Sequence, residues 1–168
     1  MNELIEKRRS IRKYQSDKPV TAEQLKSLAG AAMMAPSAHN SRPWEFIAVT
    51  KREILDEIAE FHPYGKMLKT ATAAIVIVAI PQTDKESEGF FPQDCAAATQ
   101  NILLEAVSME LGACWCGIYP KDELIGHFRR VFDISEPKMP FCIIALGTPD
   151  HSPKPRGFFD ESKITYID

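Results

Sequence analysis

Apolar residues alternate with polar ones in two distinct rhythms along this chain. Leu25, Leu28, Ala29, Ala32 and Met33 recur at the spacing of one helix face, with Thr21 placed as the cap and Pro36 ending the run. Asn2 is placed to cap a shorter helix through Arg8 that turns Leu4 and Ile5 inward. "SIRKYQ" then reads as extended up to Pro19. "WEFIAVT" is rich in aromatic and β-branched residues and predicts a strand, followed by a helix over "KREILDEIAEF" that Thr50 would cap. "AAIVIVAI" is an almost unbroken apolar run, as expected of a strand buried on both faces. Pro92 stands where a first helical turn belongs, and "QDCAAATQNILLEAVSMEL" continues the helix. "LGACWCGIYP" reads as a loop, "KDELIGHFRRVF" as a helix and "FCIIALG" as a last central strand. Trp44 and Trp115 are expected in the core.

This order gives an α+β domain over residues 1–168, with several helices around a small sheet and an extended tail over 148–168. The long helix carries Ala96, Ala97, Leu103, Ala106 and Val107, which cannot all face one small core. A helix apolar on more than one side predicts cover by a second subunit.

Composition narrows the function. A chain of 168 residues that is 45% hydrophobic and 26% charged matches a soluble globular protein with a sizeable core. A net charge of -3 argues against nucleic acid or an anionic membrane as partner. "MNELIEKRRS" lacks the apolar stretch of a signal peptide, and the longest apolar run is about half the ~20 residues of a membrane span. A cytoplasmic protein is therefore expected. Cys95, Cys114, Cys116 and Cys142 are expected as reduced, mostly buried thiols, since C-x-C is neither a zinc-knuckle nor a C-x-x-C spacing. No metal site is expected, because the four histidines are scattered.

The candidate chemistry is basic. "RRSIRK" places Arg8, Arg9, Ser10 and Arg12 within five residues, and guanidinium groups offer a phosphate bidentate, charge-assisted bonds. "PKPR" adds Lys154 and Arg156, and "GKML" adds Lys66. A net acidic chain with basic clusters near both ends is suited to converging them on one anion. The glycine-rich phosphate loops and the nucleophile-elbow motif are missing, and Asp56, Glu57 and Glu60 fall on exposed helix faces. No nucleophile or catalytic dyad stands out.

"RRSIRKY", "APSAHNSRPWEF", "DCAAATQNILLEAVSMELGACWCG" and the terminal "PKPR" together resemble the nitroreductase family of FMN-dependent oxidoreductases, in the family's order and across nearly the whole chain. The resemblance implies a mostly antiparallel sheet flanked by helices, with the long helix at a homodimer interface and an FMN at each of two sites between subunits. It assigns Arg8, Arg9, Ser10, Arg12, Lys154 and Arg156 to the phosphate and ribityl end. Pro36, Ser37 and Ala38 match the segment lent by the other subunit, so the two prolines of "APSAHNSRPW" would fix a backbone lying along the ring. Asn40 and Arg42 match residues bonding the ring's pyrimidine edge, and Lys66 one near its N1–C2=O end. Cys116 and Gly117 match the loop whose backbone approaches N5 and O4. Many relatives carry a bulkier apolar residue at the Cys116 position, so that match rests on the backbone alone.

The implied activity is reduction of a small electron acceptor (nitroaromatic, quinone or similar) by NADH or NADPH in a ping-pong cycle. Catalysis by positioning a cofactor needs no nucleophile. His39 could face the substrate, and Phe90 and Phe91 could form an aromatic lid or simply pack. The alternatives are a different flavin chemistry, such as reductive dehalogenation or heterocycle oxidation, and a flavin-binding redox sensor built on Cys114 and Cys116. The tail over 148–168 could be exchanged between subunits.

Overall fold

Strand β2, Ala73–Ala79, is buried along its whole length, and that burial organises the molecule. The computed structural model describes residues 2–151, 153–154 and 157–167. Strands β1 (Trp44–Val49), β3 (Gly112–Gly117) and β4 (Met139–Gly147) complete one sheet in the order β1-β2-β4-β3. Every pairing is antiparallel, with Ile47 opposite Val76, Val76 opposite Ile143, and Trp115 opposite Ile144. Flanked on both sides, β2 and β4 are the inner strands, and β1 and β3 are the edges.

Side chains of a strand alternate between faces, so the inner strands feed two cores. Ile75, Ile77 and Ile144 meet helices α2 (Ala22–Met33) and α4 (Phe91–Ser108) through Leu28, Ala32, Ala98 and Ile102. Val76, Val78 and Ile143 meet α3 (Arg52–Phe61) and α5 (Asp122–Phe132) through Leu55, Ile58 and Phe128. The α+β architecture and the antiparallel sheet agree with the expectation. Thr21 caps α2 in a full capping box with Gln24. Asn2 caps α1 (Glu3–Lys7).

Several expectations are corrected. "GACWCG" is a strand, because pairing with β4 satisfies its backbone whatever its small, glycine-flanked composition suggests. Trp115 is consequently exposed, facing outward between two inward thiols. The cap position of α3 is Lys51, without a side-chain bond, and Thr50 lies outside the helix. Helix α1 buries no residue, since one turn and a half resting near α4 leaves Ile5 half exposed. Met33, at the last turn of α2, is exposed as well. Among the described residues no strand follows β4; beyond an isolated bridge from Pro149 to Tyr14, the tail runs exposed. Trp44 and the four free cysteines are buried, as expected.

Candidate functional site

Among the described residues no strand pairs with the outer side of β3, and the segment that follows α1 covers only its beginning. Ser10 bridges Ala113 in parallel, and the Ile11 amide donates to the Ala113 carbonyl at 3.0 Å. Gly112 permits this approach, because a Cβ there would stand 2.7 Å from the Ile11 side chain. Tyr14 anchors the same segment, donating its buried hydroxyl to the Ile11 carbonyl at 2.6 Å. Burial pushes the Tyr14 phenol well above its usual range, so it stays protonated.

The opposite wall is the loop after α3. His62 is buried and neutral, its basicity lowered chiefly by desolvation. Its Nδ1 accepts the Tyr64 amide at 3.2 Å, which leaves Nε2 to donate to the Gly117 carbonyl at 3.0 Å. Gly65 closes the turn, as a Cβ there would lie 2.8 Å from that of His62. Arg52 fixes the next turn, which carries Lys66 and Met67, by donating to the carbonyls of Leu68 and Ala71.

Between these walls lies a groove of about 710 Å³ along β3, within the usual range of small-molecule sites. Arg12, Lys13 and Lys66 supply positive charge against the single carboxylate of Asp150. Trp115, Tyr64 and Met67 supply flat or apolar surface. Gly117 opens the end of the strand, since a Cβ there would meet nothing within 4 Å. The groove is therefore suited to a flat group lying near backbone amides with an anionic tail among cations. The neighbouring Cys116 and the charges of Arg12 and Arg8 hold the Cys114 thiol below its ordinary value, against its burial. The neighbouring Cys114 and burial push the Cys116 thiol upward, and that thiol donates to the Tyr64 carbonyl at 3.4 Å. A second groove, of about 820 Å³, shares Pro63, Tyr64 and Gly117 with the first.

Arg12, Lys66, Cys116 and Gly117 thus meet in one groove. Arg8 is near enough for Cys114 to feel its charge. Arg9 points into a different hollow, beside Glu110 and His151. Ser10 sits on the bridge, and Lys154 is exposed away from the groove lining. Arg156 lies outside the described residues.

The Pro36–Arg42 loop lies elsewhere, against the start of α4. The Ala38 amide donates to Asp94 at 3.0 Å, and Arg42 donates to Asn40 at 3.0 Å. His39, Asn40 and Arg42 all take left-handed backbone conformations, an unusual run for non-glycine residues. In this chain Pro36, Ser37, Ala38, His39, Asn40 and Arg42 do not reach the groove. Phe90 is exposed, and Phe91 packs edge-on against Tyr119 on the wall of the second groove. Sequence reasoning passed over Tyr14, His62, Tyr64, Met67 and Trp115. Only the alternation in "CWCG", read as a strand rather than a loop, could have pointed to Trp115.

The family model described as "Nitroreductase family" matches residues 5–63 and 62–148. A protein of Methanothermobacter thermautotrophicus named "Putative NADH dehydrogenase/NAD(P)H nitroreductase" is 47% identical over 162 residues, 96% of this chain and 84% of its own. A crystal structure of a protein of the same name from Parabacteroides distasonis has a TM-score of 0.91 at 38% identity, covering 99% of this chain and 96% of that one. A third relative is an FMN-dependent nitroreductase from Clostridium difficile. It has a TM-score of 0.88 at 32% identity, covering 100% of this chain and 99% of that one.

Proposed function

The chain belongs to the nitroreductase family, and from that premise we propose that it is an FMN-dependent oxidoreductase drawing electrons from NAD(P)H. The observation carrying this reading is the groove along β3, where cations, flat side chains and the open side of Gly117 coincide. Those residues fit FMN. Arg12, with Arg8 nearby, would hold its phosphate and ribityl end; Arg9, Ser10, Lys154 and Arg156 are assigned there by the family resemblance alone. Lys66 and the backbone of Cys116 and Gly117 would hold its ring.

FMN supplies, when bound, the two-electron chemistry that no side chain here provides. The chain's own residues bind and orient. Arg12 and Lys66 favour negative charge in the groove, which makes the site retentive for an anion. Trp115 and Tyr64 offer faces on which a planar group can stack. The electron acceptor in this reading is a small planar organic molecule, a nitroaromatic or quinone, that follows the nicotinamide onto the same face in a ping-pong cycle.

A second copy completes the site. The Pro36–Arg42 loop is rigidly built yet remote from the groove of its own chain, as a segment lent to a partner would be. Ala96, Ala97 and Val107 of α4 are only half buried, and Phe158, Phe159, Tyr166 and Ile167 of the tail are exposed. Such apolar surface is suited to burial between subunits. Among the described residues no helix is long and apolar enough to cross a membrane; we take the cytoplasm as the place of action.

Anaerobic addition of NADH or NADPH to the flavin-loaded protein tests the proposal. Bleaching of the flavin, and its return with a quinone, is the expected result. A flavin that stays oxidised with both donors would favour the redox-sensor alternative.

A further inference from the structure

We propose that Cys114, Cys116 and Met67 form a binding site for a soft, thiophilic metal ion, Cu(I), in the floor of the groove. Residues two apart in a strand share a face, and Cys114 and Cys116 both turn inward from β3 while Trp115 turns out. The Cys116 sulfur lies 3.8 Å from the Met67 sulfur. A three-coordinate sulfur set with bonds of about 2.3 Å places its sulfurs about 4 Å apart. The Cys116–Met67 pair already stands near that spacing. All three residues line the groove, so an ion reaches them from solvent without crossing the core.

The donor set selects the ion. Two thiolates and a thioether are soft ligands that favour Cu(I) over oxygen-seeking cations. Zinc requires a fourth ligand, and among the described residues no cluster of three His, Cys, Asp or Glu side chains exists to provide it. His62 is already committed at both ring nitrogens. Binding breaks two S–H bonds and releases two protons with no electron transfer, leaving one net negative charge on the Cu(I) dithiolate. Arg12, on the same groove, offsets that charge.

The inference goes beyond the flavin reading and does not depend on it. Uptake of Cu(I) by a chain that ignored FMN would keep the metal site and remove the cofactor. The test is an anaerobic titration of the purified protein with Cu(I) held by bathocuproine disulfonate as competitor. One Cu(I) taken per chain, lost in C114S/C116S and weakened in M67L, is the expected result. M67L preserves shape and keeps both thiols, so it remains informative where the double variant fails to fold. No uptake by the unaltered chain would overturn the site. So would equal uptake by C114S/C116S, which would place the ion on Cys95, Cys142 or the histidines. Unchanged affinity in M67L would overturn the three-sulfur arrangement.

Discussion

His62 donates from Nε2 to the carbonyl of Gly117 at 3.0 Å, tying the loop that walls the groove to the strand that floors it. The bond forms in the interior, where a neutral imidazole is favoured over a charged one.

That burial sets a pH dependence. The unfolded chain takes up the proton near the ordinary histidine value of 6.5, whereas folded His62 does so only at lower pH. The stability it contributes is fully present above about 6.5 and is lost as pH falls from there toward the lower folded value. Urea denaturation at stepwise lower pH should therefore show a decline that H62F reduces. An identical decline in H62F would assign it to other groups.

Phe128 is fully buried and meets Phe61 and His62 edge-on. F128A should cost about 3–5 kcal/mol of stability, from lost burial and the cavity left behind. Chemical denaturation measures it, and a loss below about 1 kcal/mol would mean that the core repacks.

Two glycines separate scaffold from ligand. G112A forces a Cβ against Ile11 at 2.7 Å and should destabilise the fold by about 1–3 kcal/mol while displacing the Arg8–Arg12 segment. G117A adds a methyl group to open space, so its thermal midpoint should stay near that of the parent. Its FMN affinity should fall, because that methyl group occupies the approach to the strand. Unchanged FMN affinity in G117A would move the ring away from Gly117.

Much of this was legible in the chain. The run "AAIVIVAI" could only be an inner strand, and the period of α2 with its Thr21–Gln24 box marked that helix. The basic residues Arg12 and Lys66, singled out as candidates for holding an anion, lie together on one groove. β3 was not legible: its pairing with β4 spans 25 residues or more of sequence and overrides a local composition of glycine, alanine and cysteine. Tyr64 and Met67 were hidden for a related reason. What brings them to the groove is the geometry of His62, Gly65 and Arg52, not any pattern of their own.

Arg12 and Lys66 should act on affinity rather than on folding, since both are exposed. A charge-assisted hydrogen bond contributes about 1.5–3 kcal/mol, so R12A/K66A should weaken FMN binding by about a hundredfold or more. Fluorescence titration reads this, and parent-like affinity would remove both residues from the site.

The most direct measurement is the visible absorption spectrum of the purified protein, with identification of the chromophore released on denaturation. FMN at close to one per chain is the predicted result. A colourless protein that takes up no added FMN would contradict the account and leave the cations of the groove to another anion.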